Sequence, residues 1–77
     1  MNLKKLRIRS GLMQKEIVSE MKINKNTYSQ YESGKRQIRV TQIPILAMIL
    51  NSSIEDVVFA EIETLNERGG KWQNKRF

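Results

Sequence analysis

The sequence predicts an all-α fold of five short helices, and three features carry that prediction. Residues 14–32 divide into two segments with helical spacing around a tight turn. At about 100° per residue, the second of these puts Lys25, Asn26, Ser29, Gln30 and Ser33 on one side and Thr27, Tyr28 and Tyr31 on the other. Residues with cap chemistry precede the segments and stop residues follow them: Asn2 before and Gly11 after the first, Asn24 before and Gly34 after the third. Apolar side chains recur three and four apart, as in Leu3 and Leu6, or Ile43, Leu46, Ala47 and Leu50.

Seventy-seven residues make one domain, near the size at which a single core stabilises only marginally without a staple. The chain has neither cysteine nor histidine. Disulfides, thiolate zinc sites, histidine ligands and imidazole acid–base catalysis are thereby excluded, and oligomerisation is the staple that remains. The acidic pairs nearest in sequence, Glu55/Asp56 and Glu61/Glu63, are one and two residues apart, so on a helix they diverge and form no carboxylate dyad. No enzyme, metal or cofactor is expected.

The net charge of +6 hides a segregation. Residues 1–39 carry ten Lys/Arg against three acids, residues 40–67 carry five acids and no Lys/Arg, and residues 68–77 carry four basic groups and no acid. Residues 1–10 are basic without the apolar stretch of a signal peptide, and the longest apolar run, residues 43–50, is too short to span a bilayer. A soluble cytoplasmic protein with no membrane contact is expected.

In order along the chain, Leu3, Leu6 and Ser10 share a face of the first helix, and Arg7 lies on that face between the leucines. A guanidinium bordering a core needs a carboxylate, for which Glu32 is the candidate. Ile8 points elsewhere. Leu12 leads into a second helix with an Ile17, Val18, Met21 stripe, which leaves Lys15, Glu16, Ser19 and Glu20 in water. Ile23 plugs the turn and Asn24 caps the third helix, which fixes the side chains it presents. A wholly polar helix face in a basic protein, backed by tyrosines and a shorter helix, is what a helix-turn-helix needs to enter a DNA major groove. On that face Lys25 suits guanine O6/N7, and Asn26 and Gln30 suit adenine N6/N7, with Ser29 a shorter fourth candidate for base reading. Gly34 stops the helix, and Lys35, Arg36 and Arg39 follow within reach of phosphates.

Thr41 is expected to cap a fourth helix over residues 42–50, with Pro44 in its first turn and Ile43, Leu46, Ala47 and Leu50 closing the core. Asn51 is a left-handed stop, and Ser53 with Asp56 resembles a capping box. In the fifth helix Ile54, Val57, Val58, Ile62 and Leu65 form one apolar stripe. Ile45, Ile49 and Phe59 are further exposed apolar candidates. The stripe is read as a homodimer interface of Ile54, Val58, Phe59, Ile62 and Leu65, the alternative being burial within one protomer. Residues 68–77 form a basic tail read in three ways: a flexible tail, an arm on DNA phosphates, or an anchor on a partner protomer through Trp72 and Phe77.

The chain resembles the lambda-repressor/Cro-like, or XRE, helix-turn-helix proteins. The resemblance runs without a gap through Leu3, Leu6, Arg7, Gly11, Leu12, Gln14, Ile17, Met21, Ile23, Asn24, Thr27, Tyr28, Ser29, Tyr31, Glu32, Ser33, Gly34 and Lys35, and covers residues 2 to about 59. It implies a five-helix lambda-repressor-like DNA-binding domain, which is taken over residues 1–67 because the apolar stripe of the fifth helix, read as a C-terminal dimerisation helix, continues past the family's shared core. It also implies phosphate contacts at Gln14, Thr27, Lys35, Arg36 and Arg39. Three positions depart from the family pattern. Met13 stands where Ser or Thr usually caps the second helix, a loss of roughly 1 kcal/mol. Lys22 stands where the turn commonly has Gly, a strain of about 1 kcal/mol if left-handed. Val18 replaces the usual Ala. The expected function is a homodimeric, sequence-specific transcriptional regulator on double-stranded DNA, a small repressor of phage, mobile-element or restriction-modification-controller type. The alternative from another class is an antitoxin or regulatory module that grips a protein partner, a toxin or antirepressor, through its C-terminal helix and tail.

Overall fold

A computed structural model describes residues 1–68. Its five helices are α1 (Leu3–Ser10), α2 (Gln14–Met21), α3 (Lys25–Ser33), α4 (Ile43–Ile49) and α5 (Ile54–Glu67), with a 3-10 turn at Val40–Gln42 leading into α4. The predicted stops and caps set the boundaries. Asn2 accepts the Lys5 N–H at 2.9 Å, and Gly11 and Gly34 both take φ +80° to end α1 and α3. Ser53 and Asp56 exchange the two bonds of a capping box at the start of α5. Lys22 and Asn51 are the described non-glycine residues with positive φ, at 59° and 54°. The Trp72 and Phe77 readings lie outside the described residues.

The core is one cluster in which α5 packs on α1, α3 and α4, while α2 packs on α3 and α4. Leu3, Ile17, Tyr28, Leu46 and Val57 are its largest fully buried side chains. Tyr28 and Tyr31 meet edge to face with ring centroids 6.1 Å apart. They fill the space behind α3, which leaves its other side in water.

Two expectations are corrected. Thr41 does not cap α4: it lies exposed within the 3-10 turn, and α4 begins at Ile43 without a side-chain cap. The turn itself does the work, because the Gln42 and Ile43 N–H groups donate to Arg39 and Val40 carbonyls, and Pro44 has no amide to satisfy. The fifth-helix stripe also divides. Val57, Ala60 and Thr64 are the buried residues of α5, whereas Ile54, Phe59 and Ile62 are exposed and Val58 and Leu65 are half-buried. Small side chains won the inner position because α1 approaches closely there: the Leu3 N–H donates to Thr64 Oγ1 at 2.9 Å, and that hydroxyl donates to the Ala60 carbonyl. Ile45 and Phe59 are exposed as expected, while Ile49 packs partly against the core.

The acids of residues 40–67 are largely committed inside the chain. Glu63 meets the Met1 amino group, Glu67 accepts from the Asn2 side chain, Glu61 accepts the Ile38 N–H, and Asp56 completes its cap. No single helix among the described residues is long and apolar enough to cross a membrane.

Candidate nucleic-acid interface

The turn between α2 and α3 decides how α3 is presented. Its Lys22 donates its backbone N–H to the Val18 carbonyl at 2.8 Å and takes the left-handed conformation. Asn24 then accepts the Thr27 N–H at 2.8 Å, so the first turn of α3 is Lys25, Asn26 and Thr27. Lys25, Asn26 and Ser29 are exposed on the side away from the tyrosines, and Gln30 is half-buried beside them. Their polar ends are the right types for base edges. Ser33 donates its hydroxyl to the Gln30 carbonyl, and Thr27 is half-buried at the border of this face.

Behind this surface, one carboxylate joins three elements. Glu32 Oε2 accepts from Arg7 Nε at 2.5 Å, and Glu32 Oε1 accepts from Arg7 Nη2 at 3.4 Å and from Gln14 Nε2 at 2.9 Å. Arg7 Nη1 also donates to the Leu12 carbonyl, which ties in the loop before α2. The pair is well shielded, with side-chain exposures of 12% and 6%. The hydrogen bond to Glu32 raises the Arg7 pKa above its usual value against the opposing effect of burial. Tyr28 sits in the same cluster, where burial first, and then the Glu32 charge, pushes its ionisation far above the usual tyrosine range. The expected Arg7–Glu32 pair therefore exists. Gln14, a candidate phosphate contact at the first position of α2, donates from its amide nitrogen to Glu32. An amide nitrogen carries two N–H groups, so one remains for an outside acceptor.

Met13 caps α2 without a side-chain bond, as its thioether dictates, while Glu16 reaches back to accept the Met13 N–H at 2.7 Å. The Gln14–Glu32 bond holds the α2 N-terminus against α3, and a loop follows α3 at Gly34. That loop carries Lys35, Arg36 and Arg39, all exposed and, among the described residues, in no ion pair. The arrangement is chemically that of an anion surface beside a set of hydrogen-bonding groups: cations and first-turn amides for phosphates, amide and ammonium groups for bases.

Sequence reasoning missed three contacts that hold the elements around this surface: the Gln14–Glu32 bond, the Glu61–Ile38 bond and the buried Thr64 hydroxyl between α5 and α1. The surplus of acids in a segment without cations was the available signal for the Glu61 bond alone. There is no group of His, Cys, Asp or Glu suited to a metal ion among the described residues.

A family model described as helix-turn-helix matches residues 3–57. No curated protein and no solved structure matches the chain.

Proposed function

We propose, from the premise that this chain belongs to the Cro/C1-type helix-turn-helix family of DNA-binding transcription regulators, that it is a repressor acting as a homodimer on a near-palindromic operator. The observation that carries this reading is the exposed polar side of α3, where Lys25, Asn26 and Ser29 stand in water over the buried Tyr28 and Tyr31. In the reading, Lys25, Asn26, Ser29 and Gln30 contact base edges, and Lys35, Arg36 and Arg39, with Gln14 and Thr27, contact phosphates. The outward apolar residues of α5, Ile54, Phe59 and Ile62 with Val58 and Leu65 beside them, form a twofold interface that spaces two α3 helices about one DNA turn apart, roughly 34 Å.

A protein-only role for the same scaffold is less well supported. A basic partner would need the acids of the C-terminal segment as its surface, and Glu61, Glu63 and Glu67 already have partners within the chain. Titration of duplex DNA at increasing salt tests the reading. Affinity is expected to fall with a log–log slope near −0.9 per phosphate neutralised, because each contact releases condensed counterion. An affinity that does not change with salt contradicts it.

A further inference from the structure

The loop bearing Lys35, Arg36 and Arg39 is fastened to α5 at two points. Buried Gly34 abuts the C-terminal end of α5, where a Cβ would come within 3.2 Å of Arg68 Cβ, Arg68 Cδ and the Thr64 carbonyl. Four residues on, the buried Ile38 donates its backbone N–H to Glu61 Oε2 at 2.6 Å. The amides of Lys35 and Arg36 both donate to the Gln30 carbonyl, at 3.0 and 3.3 Å. Beyond them, among the backbone amides of residues 37–41, Ile38 alone has an acceptor among the described residues. Glu61 makes no ion pair there, and burial pushes its carboxyl above the usual range while the Ile38 N–H pulls it down. Half-burying a carboxylate without a cation among the described residues costs desolvation, and what it obtains here is one fixed point in the stretch 37–41, whose other backbone amides have no acceptor there.

We propose that Glu61 is a positioning residue for DNA binding: its hydrogen bond to the Ile38 N–H holds the 35–39 loop in one conformation, so that Lys35, Arg36 and Arg39 are already ordered when a phosphate backbone arrives. The proposal rests on the DNA-binding reading above. Three long cations on a loose loop would lose backbone and side-chain freedom on binding, and a loop pinned on α5 has given up part of that freedom during folding.

The decisive comparison is Glu61→Gln against Glu61→Met, titrated with a mixed-sequence duplex of about three helical turns. Both variants remove one negative charge, so relief of repulsion from DNA cancels between them. Both keep the length of the side chain, and only Gln keeps an oxygen for the Ile38 N–H. Gln is expected to bind at least as tightly as the wild type and Met about tenfold more weakly than Gln, with base preference unchanged in both. Equal affinity of the two folded variants overturns the proposal. Should Met fail to fold, Glu61→Asp takes its place: it keeps the charge, withdraws the carboxylate by roughly 1.5 Å and is expected to bind less tightly than the wild type. An Asp variant that binds like the wild type also overturns it. Amide exchange needs no variant: slow exchange at Ile38 beside fast exchange at Gln37 and Arg39 is expected, and equally fast exchange at all three overturns the pin. A wild type that binds no duplex fails the functional reading itself, which separates the two outcomes.

Discussion

The outward faces of α3 and α5 differ in kind although the two helices lean on the same core. On α3 the exposed residues are Lys25, Asn26, Ser29 and Ser33, and on α5 they include Ile54, Phe59 and Ile62, the last two 65% and 37% exposed. Water satisfies the α3 face completely, so leaving it bare costs nothing, and any partner must replace those hydrogen bonds with equally good ones. Specificity follows from that demand. The α5 face gains roughly 25 cal/mol for each Å² of apolar surface that another apolar surface covers, with little demand for a particular chemistry. One face is suited to reading and the other to association.

The largest effect is expected in the network that sets the α3 face. Glu32→Ala leaves Arg7 shielded without its carboxylate and releases Gln14, and should cost on the order of 3 kcal/mol in thermal unfolding. In a cycle with Arg7→Ala and the double mutant, losses that simply add would mean that the pair contributes no coupling, against the observed geometry.

On the α5 side, Ile62→Asp sets a charge in the middle of the outward apolar face. Sedimentation should give a dimer for the wild type and a folded monomer for this variant. An unfolded variant would place Ile62 within the protomer's own core, and the contrast between the two faces would collapse.

Smaller effects sharpen the comparison without touching either face. Gly34→Ala puts a Cβ at φ +80° and against the Thr64 carbonyl, and should lower stability by about 1 kcal/mol or more, read by denaturant unfolding. Lys22→Gly relieves a left-handed lysine in the turn and should raise stability by up to about 1 kcal/mol; no gain would mean that the lysine side chain offsets its own strain.

Most of the fold could be read along the chain because its boundaries are local chemistry. Asn2, Gly11, Asn24, Gly34, Asn51 and the Ser53–Asp56 pair each act within one turn, and each was legible from its own neighbours. The Arg7–Glu32 pair was legible as well, since a guanidinium among leucines demands a carboxylate. What escaped was set by distant partners. The inner side of α5 holds Ala60 and Thr64 beside Val57 because α1 needs room and an acceptor there, and hydropathy does not rank Thr64 as core. Thr41 looks like a cap, yet the Arg39 and Val40 carbonyls had already taken the amides that need attention. Gln14 has the residue type of a surface contact, and only the folded arrangement brings it against Glu32.

The central claim, that the polar side of α3 reads bases, is tested most directly by an operator selected from random sequence. On it, Lys25→Ala, Asn26→Ala and Gln30→Ala are compared with Arg36→Ala, each measured against the operator and all its single-base variants. Each α3 substitution should cost roughly 1–3 kcal/mol on the preferred operator and relax preference at one base pair per half-site, whereas Arg36→Ala should weaken every duplex about equally and shallow the salt slope by about one contact. If the three α3 variants instead lose affinity uniformly, with the base preferences of the wild type intact, α3 is not the reading helix and the account is wrong.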